Sequence, residues 1–317
     1  MEKFDLNHPA FKNEDAARKW LEASRWPDGP VCPFCKSGER VEALGGKSMG
    51  KGWYHCNDCR EKFTVRVGTL YERSHIPLHK WLLATHLLTS SKKGMSAHQL
   101  HRMLGITYKS AWFMAHRIRA ALVETNPGPM GGEGKIVQAD ETYYGNSSKR
   151  AKAYRKGHRY KQQVVALVEP KGRVRAFHVK SATVAGVRDI LVRNIDRKSE
   201  LHTDESRLYV QVGREFAAHK TVKHGSNTSG FVAASYVGPD GETTNNVENF
   251  FGVFKRGMKG VYHFCGEQHL ARYLAEFEFR YNNRSGLGVN DGERAARALK
   301  GIEGKRLTYR PTDEAQV

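Results

Sequence analysis

Four cysteines stand in two matched pairs, Cys32-Pro33-Phe34-Cys35 and Cys56-Asn57-Asp58-Cys59, with twenty residues between the pairs. A tetrahedral Zn²⁺ takes four thiolates, and two C-x-x-C knuckles on a short hairpin deliver them. Protein atoms would fill every position around such an ion, so one structural zinc per chain is expected. A dithiol redox motif needs one such pair on a βαβ unit, and two pairs at this spacing argue against it. Cys265 stands alone. Four metal-spaced thiols with one left over fit a reducing, cytoplasmic compartment better than a secreted disulfide framework.

A second set of residues suits a harder metal. Asp140 follows a short strand, Lys135 to Ala139; Asp204 follows another, Glu200 to Thr203; Glu248 lies in the first turns of a helix from Asn245 to Met258. Acids at strand ends border the crevice where open α/β sheets bind ligands. Three carboxylates meeting there suit Mg²⁺ or Mn²⁺, and two such ions can serve both oxygens of a phosphodiester exchange. Glu141 and Glu205 compete with their neighbours, but alternation along a strand lets only one of each pair face the site. Lys255 lies two helical turns beyond Glu248 on the same face and is a candidate for a DNA phosphate. Asn245 and Asn246 would cap that helix or line the site.

The elements that position these groups divide the chain. Residues 1–29 form a helical lead-in capped near Asn13, and 30–72 the zinc ribbon, with a strand over Phe63 to Val67. Residues 73–124 carry a helix-turn-helix, with Gly105 at the turn and Thr107 capping the second helix. Its candidate DNA contacts are Lys109, Arg117 and Arg119. A Pro/Gly run over 125–134 reads as a linker, 135–300 as a mixed α/β domain, and 301–317 as a basic tail. The stretch from Ser147 to Lys161 holds Lys149, Arg150, Lys152, Arg155 and Lys156 with no acid, interleaved with tyrosines. It reads as an arm for a DNA backbone, and Arg256 beside Lys255 is a further contact candidate.

Composition agrees. Lys and Arg number 52 against 33 Asp and Glu, a formal net charge of +19. An isoelectric point near 9.7 points to a polyanionic partner, most often nucleic acid. No stretch approaches eighteen apolar residues, and the N-terminus lacks a signal-peptide core, so neither a membrane span nor export is expected.

From about Trp26 to the tail Gly304-Lys305-Arg306-Leu307-Thr308-Tyr309-Arg310, the chain resembles bacterial insertion-sequence transposases of the ISXO type. The motifs that carry the resemblance are CPFC…CNDC, ADETYYG with Asp140, HTDES with Asp204, NNVENFFGVFKRGMKGVYH with Glu248 and Lys255, and EFEFRYNNR ending at Arg284. It implies a multidomain α+β protein with a zinc ribbon, a helix-turn-helix region and an RNase H-like catalytic domain with a mixed sheet. It also implies Mg²⁺-dependent cleavage and strand transfer, with the element's terminal inverted repeats and target DNA as partners and a homodimer or higher oligomer on DNA. His224 matches a histidine that the family places between the second Asp and the Glu, and Thr243 stands where many relatives have His. Two other readings share parts of the pattern: a non-catalytic DNA-binding regulator, which needs no acid triad, and a nuclease on the same fold.

Overall fold

In the computed structural model the described residues are 5–45, 49–145, 161–222, 238 and 241–308. The chain divides into two compact units, Met1–Val123 with Gly288–Val317, and Glu124–Leu287.

The first unit opens with α1 (Glu14–Arg25), where the Asn13 side chain accepts the Ala16 N–H and Glu14 and Asp15 lie in the first turn. Such a cap contributes about 1 kcal/mol. The ribbon follows as an antiparallel sheet of β1 (Val41–Leu44), β2 (Trp53–Cys56) and β3 (Lys62–Thr64). Trp26 packs edge-on against Tyr54 and Phe63, whose own rings stack at 5.7 Å. The strand expected over Phe63 to Val67 stops at Thr64, because the chain turns and the Val67 N–H bonds back to the Thr64 carbonyl. Helices α2 (Leu78–Ser90), α3 (Ala97–Leu104) and α4 (Tyr108–Ala121) complete the helical region. The expected turn is present: Gly105 sits at φ 59°, ψ 44°, a left-handed conformation that glycine adopts without strain. Thr107 then caps α4 through the Ser110 N–H.

The second unit is built on a five-stranded mixed sheet. β4 (Ile136–Tyr144), β5 (Gln162–Val168) and β6 (Val174–Val179) pair antiparallel, while β7 (Glu200–Asp204) and β8 (Ala218–Val222) extend it parallel to β4, in the order β6-β5-β4-β7-β8. α5 (Val184–Asn194) and α6 (Arg207–Gly213) flank β7 in the chain, and α7 (Asn245–Gly257) and α8 (Leu270–Asn282) follow β8. Strand β5 is apolar on both faces because both are covered. Val164, Ala166 and Val168 pack with Phe250, Phe254 and Phe277 of α7 and α8, and Val165 and Leu167 with Val187, Leu191 and Tyr209 of α5 and α6. This is the RNase H-like domain.

Two boundaries differ from the sequence reading. The Pro/Gly run over 125–134 does not act as a free linker at its end: Met130 is fully buried and bridges Ile195, and the Gly132 N–H bonds Ser199 Oγ. The second unit ends at Leu287 and not at residue 300. α9 (Asp291–Lys300), opened by an Asn290–Glu293 capping box, belongs to the first unit. It buries Ala295, Ala298 and Leu299, and Arg294 donates to the Thr89 carbonyl at the end of α2. Beyond it the chain pairs with the ribbon's exit, Leu70 N–H to Ile302 O and Gly304 N–H to Gly68 O. The physical reason is apolar: the buried face of α9 has its partners on α2, not on the sheet. Among the described residues, no helix is long and apolar enough to cross a membrane.

Candidate functional site

The ribbon thiols converge. The Sγ atoms of Cys32, Cys35, Cys56 and Cys59 lie within 4.8 Å of one another, with 3.6 Å between Cys32 and Cys59 and 3.5 Å between Cys35 and Cys56. Zn–S bonds of about 2.3 Å in a tetrahedron put sulfurs roughly 3.8 Å apart, so the four fit one zinc. Within the second knuckle the thiols split: backbone N–H groups of Cys59 and Asp58 hydrogen-bond Cys56 and lower it to about 7, while, against the backbone N–H of Glu61, burial and the neighbouring thiols raise Cys59 to about 12.

The acids meet by topology. β4 and β7 pair parallel at Ile136–Glu200, Val137–Leu201 and Gln138–His202, and two residues further on the same register sets Asp140 against Asp204. Pairing between the two strands stops at Gln138–His202, while β4 continues beside β5 as far as Tyr144. Asp140 therefore lies within its strand rather than just after it, at the point where β4 and β7 part. Parallel neighbours in register share a face, and the face of Gln138 and Asp140 is the one covered by α7.

Carboxylate oxygens of Asp140, Glu141 and Asp204 all lie within 4.8 Å of one another. The inclusion of Glu141 corrects the expectation from alternation. Its side chain starts on the other face, where the Tyr209 hydroxyl donates to Oε2 at 2.6 Å, and β7 ends at Asp204, leaving it room to reach the acids. Glu205, its counterpart beside Asp204, is exposed. The group repels itself. Burial, then the charge of Asp204, with smaller contributions from Glu141 and Glu248, raises Asp140 to about 7 against the opposing backbone N–H of Glu141. Burial and Asp204 also raise Glu141, opposed by Tyr209 and Ser206. Such uncompensated negative charge among hard oxygen donors is what a divalent cation relieves, so these residues fit Mg²⁺ or Mn²⁺.

Glu248 lies on α7 and is not one of the three mutually close acids, although its charge reaches Asp140. Thr244 Oγ1 donates to Glu248 Oε1 at 2.8 Å. The start of α7 is pinned by the strand rung just before the two aspartates. Gln138 Oε1 accepts the Asn246 and Val247 N–H groups at 3.0 and 3.4 Å, and His202 Nδ1 accepts the Thr243 N–H at 3.3 Å. With Nδ1 accepting, the hydrogen-bond network assigns the proton to Nε2, which donates to Glu200 at 2.7 Å. That bond, followed by Lys220, holds Glu200 below the usual carboxylate range. Gln138 and His202 were missed from sequence; the rung pairing that singles them out exists only once the strand order is known.

The other sequence candidates scatter. Asn245 is exposed and is the first helical residue, while the N-cap is Thr244. Lys255 is half-buried and Arg256 exposed toward the end of the same helix. Lys109 is exposed at the start of α4. One groove contact, Arg119, needs correction. Arg119 is only 2 % exposed, and Arg117 is half-buried, donating to the carbonyls of Leu307 and Glu72. Past its first turn α4 is packed on most sides, so Arg119 serves the interior. His224, Lys149, Arg150, Lys152, Arg155 and Lys156 lie outside the described residues.

Comparison with known proteins adds a family. The transposase zinc-ribbon domain model matches residues 12–62 and the ISXO2-like transposase domain model residues 131–282, together 203 of the 317 residues. An uncharacterized protein in transposable element ISH50 of Halobacterium salinarum is 32% identical over 133 residues, which are 42% of this chain and 42% of that protein. The match thus spans less than half the length of the curated relative. A chain of a simian T-cell lymphotropic virus intasome, in complex with PP2A regulatory subunit B56 gamma, aligns over 56% of this chain and 63% of its own at 16% identity. Its TM-score is 0.28, too low to carry an argument.

Proposed function

The chain belongs to the ISXO2-like transposases, and from that premise we propose that it cleaves DNA at the ends of an insertion element and joins the freed 3′ ends to target DNA. The observation that carries this reading is the half-buried, self-repelling group of Asp140, Glu141 and Asp204 at the parting of two parallel strands. A divalent pair bound there would supply activation of the attacking oxygen and stabilisation of the leaving one.

The residues of the chain do the rest. Asp140 and Asp204 present oxygens from the sheet, and Tyr209 holds Glu141 beside them. Thr244 orients Glu248, the third signature acid by resemblance, from α7, and Gln138 with His202 fixes where that helix begins. Lys255, Arg256, Lys109 and the basic run from Lys149 to Lys156 supply cations for DNA phosphate. Because the nucleophiles are water and then a DNA hydroxyl, no Ser, Tyr or Cys nucleophile is required.

The test is an assay that reads cleavage and joining separately, with zinc-loaded protein, Mg²⁺, duplexes carrying candidate element ends, and target plasmid. Both products are expected. Cleavage without joining would leave a nuclease, and DNA binding without either product would leave a regulator.

A further inference from the structure

The first unit contains a cavity of about 180 Å³ between α4 and the returning C-terminal segment, lined by Glu72, Arg73, Phe113, Arg117, Arg306 and Leu307 among others. Its charges are unbalanced. Three guanidiniums meet one carboxylate, and Glu72 Oε2 already accepts the Gly68 N–H at 3.0 Å. Arg73 approaches Glu72 at 3.7 Å, while Arg306 has no ion-pair partner among the described residues. Arg117 is fixed as a wall: Nε donates to Leu307 O at 3.2 Å, Nη1 to Glu72 O at 3.3 Å, and the guanidinium lies 5.0 Å from the Phe113 ring centre. The remainder of its donor fork has no acceptor among the described residues.

We infer that this cavity is a phosphate subsite that seats one backbone phosphate of bound duplex DNA. The inference rests on the proposed DNA-processing function and adds a contact which the groove-facing reading of Arg117 did not contain. Burial, then the charge of Arg306, lowers Arg117 from its ordinary value against the opposing charge of Glu72, as expected where cations outnumber the anion beside them. Arg forks match phosphate bidentately, and the apolar floor of Leu70 and Phe113 strengthens the attraction. The volume is below the roughly 300 Å³ at which pockets for whole small molecules begin, so it suits a phosphate group and not a complete nucleotide. Arg73 and Arg306 stand exposed, where a backbone can reach them.

The experiment measures duplex affinity against salt for the zinc-loaded full chain and for Arg306→Gln, Arg306→Lys and Arg73→Gln. These side chains are exposed, and zinc content with the melting curve verifies folding. Arg306→Gln is expected to flatten the log–log salt slope by about 0.9, the value of one phosphate contact. Arg306→Lys, which keeps the charge but not the fork, is expected to restore affinity only in part. Unchanged slopes in Arg306→Gln and Arg73→Gln would overturn the subsite, as would full restoration by lysine. A parallel melting series in inorganic phosphate, at constant ionic strength, separates the source. Stabilisation of the unsubstituted chain, lost in Arg306→Gln while the DNA slope stays unchanged, would make this a free-phosphate site and overturn the DNA assignment. Mg²⁺-dependent cleavage and its loss in Asp140→Asn, read on the same preparations, survive a failed subsite, so the two failures are distinguishable.

Discussion

The thiol group and the acid group are both shaped for metal, but they are made in opposite ways. The four sulfurs come from two four-residue knuckles close together in the sequence, and backbone N–H groups already favour thiolate at Cys56. Four soft donors close a shell, which suits an ion that holds structure. The acids come from distant strands and meet only because β7 lies in register beside β4. They are half-buried together with little to balance them, and Asp140 is pushed up to about 7. A group that its own fold leaves under electrostatic tension suits an ion with open positions and reacting oxygens. The two groups thus differ in how far protein donors alone would satisfy the ion they hold.

The largest effect should come from the unsatisfied group. Asp140→Asn or Asp204→Asn is expected to reduce cleavage by about 10³-fold or more, the scale of a principal electrostatic contributor, with DNA affinity nearly unchanged. Gel assays of product and complex on the same samples check both halves. Glu141→Gln and Glu248→Gln sharpen the comparison, since whichever completes the site should lose activity comparably and regain part of it in Mn²⁺.

Breaking the satisfied group should do the reverse. Cys59→Ser is expected to abolish stoichiometric zinc and unfold the ribbon, weakening DNA binding while the second unit keeps its own melting transition. Metal analysis and calorimetry read this, and well-folded, zinc-free wild-type protein would contradict it.

A smaller loss is expected from the rung that pins α7. Gln138→Ala or His202→Ala should cost roughly 10–100-fold in activity or metal affinity, as supporting contacts around metal sites do. A shift in the Mg²⁺ concentration needed for half-maximal rate, at unchanged DNA affinity, distinguishes this from general destabilisation.

The smallest effect is thermodynamic. Asp140 has a folded pKa of about 7, above its ordinary value near 3.8, so the native state holds the proton more tightly than the unfolded chain. Stability from this group is fully present below the unfolded pKa and lost as pH rises through 7. Metal-free protein should therefore melt lower at pH 8 than at pH 5. Glu278 on α8, raised by burial to about 7, adds to the same trend. Divalent metal should cancel the Asp140 share and leave that of Glu278, a separation that Asp140→Asn and Glu278→Gln reproduce in melting curves.

What was legible in the sequence follows the same division. Knuckles, caps and turns are local, so Cys32 to Cys59, Asn13, Gly105 and Thr107 could be read directly. Asp140 and Asp204 stood out as acids at strand positions, but that their register brings them together required the strand order. Glu141 was set aside because alternation describes a strand beside a full neighbour, whereas β7 ends at Asp204 and Tyr209 draws the carboxylate in. Arg119 was read as a surface cation because charge suggests exposure; α4 buries it because the elements around that helix cover it, and Arg117 is half-covered by the C-terminal segment. For α9 the error was adjacency, since a helix that follows the second unit in the chain packs on α2 instead.

The most direct test of the acid group as the reactive metal centre is an electron paramagnetic resonance titration of zinc-loaded protein with Mn²⁺. Two ions about 3.5–4 Å apart should couple magnetically. The expected result is a coupled pair in the wild-type chain that is lost in both Asp140→Asn and Asp204→Asn, with the zinc content unchanged. Mn²⁺ binding that is absent in the wild type, or unaltered in both variants, would contradict the assignment.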